Sequence, residues 1–238
     1  NPAMDLIFER MPATLELVAV AACLVLCIAI PLGVYAGAYP KRASSKLIMS
    51  GSILGISLPS FWVGMMMIYI FAVVLRLLPA SGRGNTVMVG NVALSIFAPG
   101  GIRYVILPAI TLALTNVATM LRLTRSGILE NMRQDYIKFA RAKGVPAKSI
   151  LFGHALKNAL IPVVTIFGMD LGNMIAFTTI TETIFAWPGM GKLLIDAINK
   201  SDRPIIVAYL MAAACMFVVL NFIVDILYTL IDPRIELR

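Results

Sequence analysis

The chain has 238 residues, of which 60% are hydrophobic and 13% are charged, and its mean hydropathy is +0.90. So much apolar side chain exceeds what a soluble core of this size can shield from water, so part of the surface must face lipid. The formal net charge of +8 does not indicate nucleic acid, because the basic residues lie between apolar runs and form no basic face with interleaved aromatics.

Five apolar stretches are long enough to cross a bilayer core of about 30 Å as helices. They cover residues 14–39, 47–78, 104–121, 156–184 and 204–231. The second stretch is too long for one straight span and contains Gly51, Gly55, Pro59 and Gly64, which predicts a tilted or broken helix. The predicted fold class is an all-α polytopic membrane protein with five transmembrane helices in this chain.

The distribution of Lys and Arg predicts the orientation of the chain. The first connection holds three, the third holds eight and the tail (232–238) holds two, whereas the opposite side holds seven. We therefore expect the third connection and the tail in the cytoplasm. Residues 1–10 are polar and do not resemble a signal peptide. Residues 1–13 are predicted to be an extracytoplasmic remnant, with a further helix expected upstream.

The third connection, from Ser126 to Pro162, is too long for a turn. Apolar residues recur there at helical spacing, which predicts an amphipathic helix outside the bilayer. They are Ile128, Leu129, Met132, Tyr136, Phe139 and Ala140. Gly144 can end this helix in a left-handed conformation, and a second helix is expected to begin near Ser149, after Pro146.

Two interpretations of this helix remain open on composition alone. Small residues at its end would let another protein approach the backbone, whereas a basic amphipathic helix can also rest on anionic lipid. The coupling segment as a whole is placed at about 126–155.

Several motifs resemble one family. The run DYIKFARAKG, followed by HALKNALIPVVT, resembles the coupling segment of the dipeptide/oligopeptide permeases of ATP-binding-cassette (ABC) importers. The run TETIFAWPGMGKLLIDAI, the ending VDILYTLIDPRI and the opening PATLELVAVAACLVLCIAIPLGVYAG are also similar to it. The resemblance is to the B-type half of dipeptide permeases, and it extends to the glutathione and nickel importers.

The resemblance implies an inner-membrane permease with six helices in the full-length protein. Its implied partners are membrane lipid, a second homologous permease subunit, two cytoplasmic ATP-binding subunits and an extracytoplasmic solute-binding protein. ATP and Mg would be bound by the ATPase subunits, because this chain has no Gly-rich phosphate loop and is not expected to be an enzyme. The residues implied in coupling to the ATPase are Tyr136, Ala140, Arg141, Ala142, Lys143, Gly144, His154 and Asn158.

Polar residues within apolar spans are candidates for the translocation pathway, because an unpaired polar group in hydrocarbon is costly. The main candidates are Asn116, Asp170, Asn173 and Glu182, with Asn221 and Asp225 in addition. Hydrogen bonding between helices is the competing interpretation. The candidates for an outer gate or for a contact with the binding protein are Trp187, Pro188 and Gly189. The competing interpretation is that these residues only form the end of a helix.

An alternative function is a proton-coupled secondary transporter in which Asp170 or Glu182 carries the proton. An intramembrane enzyme is disfavoured, because the sequence has neither a Ser/His constellation nor metal-ligand spacing. His154 is the only histidine, and Cys23, Cys27 and Cys215 lie in apolar runs. No catalytic residue and no metal site are therefore predicted.

Overall fold

The computed structural model describes residues 2–90 and 92–231, and the predicted tail at 232–238 lies outside them. The helices are α1 (Pro2–Ala38), α2 (Ala43–Ser57), α3 (Ser60–Met67), α4 (Ile102–Asn131), α5 (Asp135–Ala142), α6 (Ala147–Ser149), α7 (Leu156–Ile184), α8 (Met190–Asn199) and α9 (Arg203–Ile231). Two π-helical segments, Ile68–Val74 and Ile150–Ala155, continue α3 and join α6 to α7. Among the described residues, four helices are long and apolar enough to cross a membrane, or five if α2 and α3 form one span.

The first helix begins earlier than the sequence predicted. Residues 2–13, expected to be a polar remnant, are helical and continue into the apolar stretch. Ala3 and Ile7 lie one turn apart and are buried, so this segment has its own packing face. Asp5, Glu9 and Arg10 interrupt the apolar residues of this segment, and they concealed that periodicity.

The second apolar stretch, predicted to be tilted or broken, is a broken helix. The axes of Ala43–Ser57 and Ser60–Val74 meet at 105°. Pro59 lies at the junction with φ −61° and ψ 134°, an extended conformation that cannot continue α2. The carbonyl of Pro59 then accepts the N–H of Val63, which starts α3.

One short hairpin departs from the all-α expectation. Strand β1 (Val87–Val89) pairs antiparallel with β2 (Val92–Leu94), with Val87 opposite Leu94. Each strand has only three residues, which is too short for a reliable alternating pattern in sequence.

The predicted amphipathic helix is two helices. Ile128 and Leu129 belong to α4, which extends ten residues beyond the predicted limit of 121, and α5 begins only at Asp135. Turn hydrogen bonds from the N–H groups of Arg133 and Gln134 separate them. The apolar spacing continues across this turn, so periodicity could not locate it.

The described residues form two compact units. Unit 1 comprises the chain up to Leu24, 58–114 and 171–221, and unit 2 comprises 25–57, 115–170 and the chain from Phe222. Unit 1 buries large side chains such as Leu17, Leu107 and Trp187.

Unit 2 has a separate apolar cluster of Val34, Ile128, Ile137, Ile150, Ala155 and Ala159. A Cβ at Gly37 would lie 2.7 Å from the Cβ of Ile128, so α1 and α4 approach closely within this unit.

Candidate functional site

The α5–α6 corner (residues 135–149) contains most of the residues predicted for coupling. Helix α5 ends in a Schellman motif, in which Val145 N–H bonds to Ala140 C=O at 3.1 Å and Gly144 N–H bonds to Arg141 C=O at 2.9 Å. Gly144 has φ +76°, so the predicted left-handed conformation is present. Pro146 is extended and is followed by α6 at Ala147, two residues before the expected start.

Buried apolar residues attach the corner to the neighbouring helices of unit 2. Ile137 of α5 and Ile150, which follows α6, are 0% and 2% exposed and pack in one cluster with Ile128 of α4. Burying an Ile side chain contributes about 1.5–3 kcal/mol, so these contacts hold α5 against the ends of α4 and α7. The corner is therefore a packed element and not a loose loop.

Hydrogen bonds add a second attachment. The Tyr136 hydroxyl donates to Asn131 Oδ1 at 2.7 Å and accepts from Asn158 Nδ2 at 3.0 Å. Asn131 in turn donates to the Gly127 carbonyl at 2.9 Å. Tyr136 and Asn158, both predicted for coupling, thus join α5 to α4 and α7.

The opposite face of the corner is open. Phe139 is 62% exposed, and the ammonium of Lys143 lies 4.5 Å from the centroid of its ring. A Cβ on Gly144 would meet no atom within 4 Å. This surface combines an exposed aromatic ring, cations and accessible backbone, which suits an apolar partner groove with an acidic rim.

The remaining predicted coupling residues lie around this surface. Arg141, Ala142 and His154 are exposed, and Ala140 is half-buried. Asp135 accepts a hydrogen bond of 2.8 Å from Lys138, which lowers the pKa of that carboxyl below its ordinary value. Both side chains are exposed, so this ion pair adds little stability.

A different arrangement surrounds Glu182 in unit 1. Its side chain is 0% exposed, one carboxylate oxygen accepts the Thr14 hydroxyl at 2.7 Å, and the other accepts Lys192 N–H at 2.9 Å. Thr14 also accepts Met190 N–H at 2.9 Å. Helix packing encloses the Glu182 carboxylate in this structure, and its assignment to the pathway stays a prediction.

The segment after Glu182 folds back over that carboxylate. Trp187 is fully buried, and its indole N–H donates to the Ala13 carbonyl at 2.9 Å. A Cβ on Gly189 would overlap the Glu182 carboxylate. Trp187 thus has no exposed surface to offer a binding protein in this conformation, whereas Pro188 is half-buried. The geometry favours the helix-end interpretation for Trp187 and Gly189.

Helix α7 ends here on a strained residue. Ala186 has φ +46°, and Trp187 N–H bonds to the Glu182 carbonyl at 2.8 Å in the same motif that Gly144 forms. A left-handed non-glycine residue costs about 1–2 kcal/mol, which the burial of Trp187 offsets.

Sequence reasoning missed a buried ion pair in unit 1. Glu16 is 5% exposed, and its Oε2 accepts Arg83 Nε at 2.9 Å and also Arg83 Nη2. Its Oε1 accepts the N–H groups of Ser95 and Ile96, both at 2.6 Å. The guanidinium also bonds to the Ala93 carbonyl of β2 at 2.7 Å. Glu16 is the one carboxylate within the apolar stretch 14–39, and that signal was present in the sequence.

The other pathway candidates occupy varied positions. Asn173 is exposed on α7, whereas Asn116 and Asp170 are half-buried and take part in interactions. Asn221 donates to the Phe217 carbonyl of its own helix at 2.9 Å. The side chain of Asp225 lies outside the described residues. Among the described residues, no group of three potential ligands could hold a metal ion, and the three cysteines are free.

Comparison with known proteins identifies the family. The family described as "Binding-protein-dependent transport system inner membrane component" matches residues 29–237. The oligopeptide transport system permease protein AppB of Bacillus subtilis is 41% identical, over 99% of this chain and 73% of that protein. The di/tripeptide transport system permease protein DppB of Pseudomonas aeruginosa is 40% identical, over 94% of this chain and 70% of that protein.

A solved structure shares the fold. A chain of the MetNI methionine ABC transporter in inward-facing conformations superimposes with a TM-score of 0.74 at 15% identity, over 98% of this chain and 99% of that chain. The fold is thus that of an ABC transporter permease. The chain belongs to the binding-protein-dependent transport system inner membrane components, within the dipeptide/oligopeptide permease family. This membership does not support the proton-coupled alternative.

Proposed function

We propose that this chain is one of two permease subunits that enclose the path for dipeptides and oligopeptides in an ATP-driven importer. The names of its relatives, which are permeases for oligopeptide, di/tripeptide and dipeptide transport, support this class of solute. A second homologous permease would complete the path. An extracytoplasmic binding protein would deliver the solute, and two cytoplasmic subunits would bind ATP and Mg.

The α5–α6 corner is the proposed contact with one ATPase subunit. One observation supports this proposal. Phe139 and Lys143 form an exposed surface on the corner, while Ile137 and Ile150 are buried and pack the corner against the rest of unit 2. An ATPase that pushes on the exposed face would move a packed element, and α6 continues into α7 without a break. Force at the corner would thus reach a membrane helix directly.

This contact requires the corner and the C-terminus to lie in the cytoplasm, as the distribution of Lys and Arg predicts. Apolar aromatics next to cations also suit the alternative of resting on anionic lipid. We favour the ATPase because Gly144 leaves its backbone open on the exposed side, and lipid binding has no use for that opening.

For the pathway we retain Asn116, Asp170 and Asn173. Asn173 is the strongest of them, because its side chain is exposed whereas Asn116 and Asp170 are half-buried. We assign Glu182 instead to positioning the segment that contains Trp187, since both carboxylate oxygens already accept hydrogen bonds.

The test is transport by the whole importer. The complex should be reconstituted in vesicles with its binding protein, and uptake of labelled dipeptides and oligopeptides should be measured with and without internal ATP. We expect uptake that requires both ATP and the binding protein. Uptake driven by a proton gradient alone would contradict the proposal, and ATP-dependent uptake of a solute other than a peptide would overturn the solute class only.

A further inference from the structure

A long apolar groove runs between α1 and α9 within unit 1. Its main cavity has a volume of about 410 Å³, within the usual range of small-molecule sites. Helix α1 contributes Met4, Phe8, Met11 and Leu15 to its wall. These positions are spaced by four, three and four residues, so they form one continuous face of the helix.

The groove continues toward the start of α9. A second cavity of about 490 Å³ is lined by Arg203, Val207 and Met211, and both cavities share Met4 and Met211. Along α9 the wall therefore has two neighbouring residues in each turn, beginning at Arg203 and Pro204 and ending at Val219 and Leu220.

Several apolar residues in the walls are exposed, unlike the residues of a protein core. Phe8, Met211 and Val219 are 58%, 59% and 55% exposed. Exposed apolar side chains on a spanning helix suit contact with hydrocarbon, and the Met side chains can adapt to a flexible ligand.

The dimensions match one leaflet of a bilayer. The candidate span of α1 begins at Ala3, and its wall from Met4 to Leu15 covers about 16 Å along the axis. The α9 wall from Arg203 to Val219 covers about 24 Å, against about 15 Å for half of the hydrocarbon core and about 20–22 Å with its headgroups. Arg203 is the first residue of α9 and is exposed, so its guanidinium can reach the level of the headgroups.

We propose that this groove binds one acyl chain of a membrane phospholipid and that Arg203 binds its phosphate. A wholly apolar channel with a guanidinium at one end complements an amphiphile with an anionic head, and guanidinium pairs with phosphate through two hydrogen bonds. Asp5 is exposed beside Met4, so a headgroup that also carries an ammonium, as in phosphatidylethanolamine, fits better than a purely anionic one. The site does not depend on which solute is transported.

The test is photolabelling of the intact importer complex. The complex is reconstituted in vesicles of equimolar phosphatidylethanolamine and phosphatidylglycerol. The vesicles also contain a trace of phosphatidylethanolamine that carries a photoactivatable acyl chain. Labelled peptides are then mapped by mass spectrometry, and photoactivatable diacylglycerol serves as a probe without phosphate. We expect labels concentrated at 4–15 and 207–219.

Matched variants separate the tail from the headgroup. Ala212→Phe should fill the groove and reduce labelling by both probes, whereas Ala214→Phe, on an exposed face of α9 outside the groove, should not. Arg203→Gln should reduce phospholipid labelling about five-fold and leave diacylglycerol labelling unchanged, whereas Lys200→Gln should change neither.

Three results would overturn the proposal. The first is labelling spread evenly over other exposed apolar positions such as Met169 and Phe177. The second is a groove that stays unlabelled because another protein segment covers it, and the third is equal phospholipid labelling of Arg203→Gln and wild type. The Arg203→Gln variant changes only an exposed side chain, so it keeps the test decisive if Ala212→Phe does not fold.

Discussion

The hydroxyl of Thr14 donates a hydrogen bond of 2.7 Å to a carboxylate oxygen of Glu182, although 168 residues separate them in the chain. The same hydroxyl accepts Met190 N–H. One side chain on α1 therefore binds both the end of α7 and the start of α8. The position of the segment between them, with Trp187 buried, depends on this junction.

The first prediction concerns Thr14→Val. The substitution preserves shape but removes one of the hydrogen bonds to the Glu182 carboxylate and the acceptor of the Met190 N–H, at about 1–3 kcal/mol for each buried group. We expect the purified complex to aggregate at a clearly lower temperature, measured by size-exclusion chromatography after heating. Thr14→Ser should restore most of the stability.

Thr119→Val is the matched control, because Thr119 is exposed and bonds only to the Thr115 carbonyl of its own helix. Equal loss of stability in both variants would show that the junction at Thr14 has no special role.

The second prediction concerns the buried ion pair. Glu16→Gln removes the charge that compensates Arg83, and breaking a buried pair from one side costs about 3–5 kcal/mol. We expect low yield and rapid proteolysis at 79–101, because Glu16 also holds the backbone at Ser95 and Ile96. Limited proteolysis of the complex in membranes measures this.

The exposed pair provides the comparison for this prediction. Asp135→Asn removes a carboxylate that is bonded to Lys138 at the surface and should change stability little. A Glu16→Gln variant as resistant to protease as Asp135→Asn would contradict the role assigned to Glu16.

The third prediction tests the corner with Gly144→Val. At φ +76° a β-branched residue is strained, and the side chain would project into the open surface. We expect membrane insertion to persist while the amount of copurified ATPase and the rate of transport both fall several-fold. Both are measured in the same preparation.

Gly153→Val is the control, because Gly153 is exposed on the adjoining helical segment and has no left-handed backbone. Normal ATPase binding and transport by Gly144→Val would exclude the corner as the coupling contact.

The fourth prediction concerns the pathway. Asn173→Leu removes an exposed amide from α7 and should lower transport without loss of assembly, because the side chain has no packing role. Asn221→Leu removes an amide that bonds within its own helix and should leave transport unchanged. Uptake and complex yield are measured together, and normal uptake by Asn173→Leu would remove this residue from the pathway.

The fifth prediction concerns orientation. Single cysteines at Ser149 or Ser81, both exposed, should react differently with an impermeant thiol reagent in intact cells, in a background without Cys23, Cys27 and Cys215. Ser81→Cys should be labelled and Ser149→Cys should be labelled only after permeabilisation. The reverse pattern would invert the topology and remove the corner from the ATPases.

The sequence alone determined the helical membrane class, a second apolar stretch that is not one straight span, the left-handed ending at Gly144 and the family. These features follow from helical spacing and from the local chemistry of Pro and Gly, which depend on neighbours in the chain. The motifs at 135–144 and 181–198 indicated the family for the same reason, because each is a continuous run of residues.

Only the tertiary structure decided where α4 ends and α5 begins, because the apolar spacing runs through the turn at 132–134 unchanged. It also decided that Glu182 is enclosed and that Glu16 pairs with Arg83, 67 residues away. A polar residue in an apolar helix has the same local pattern whether it faces a pathway or a partner group. The outcome depends on which side chains of distant helices meet it, and that is a property of packing.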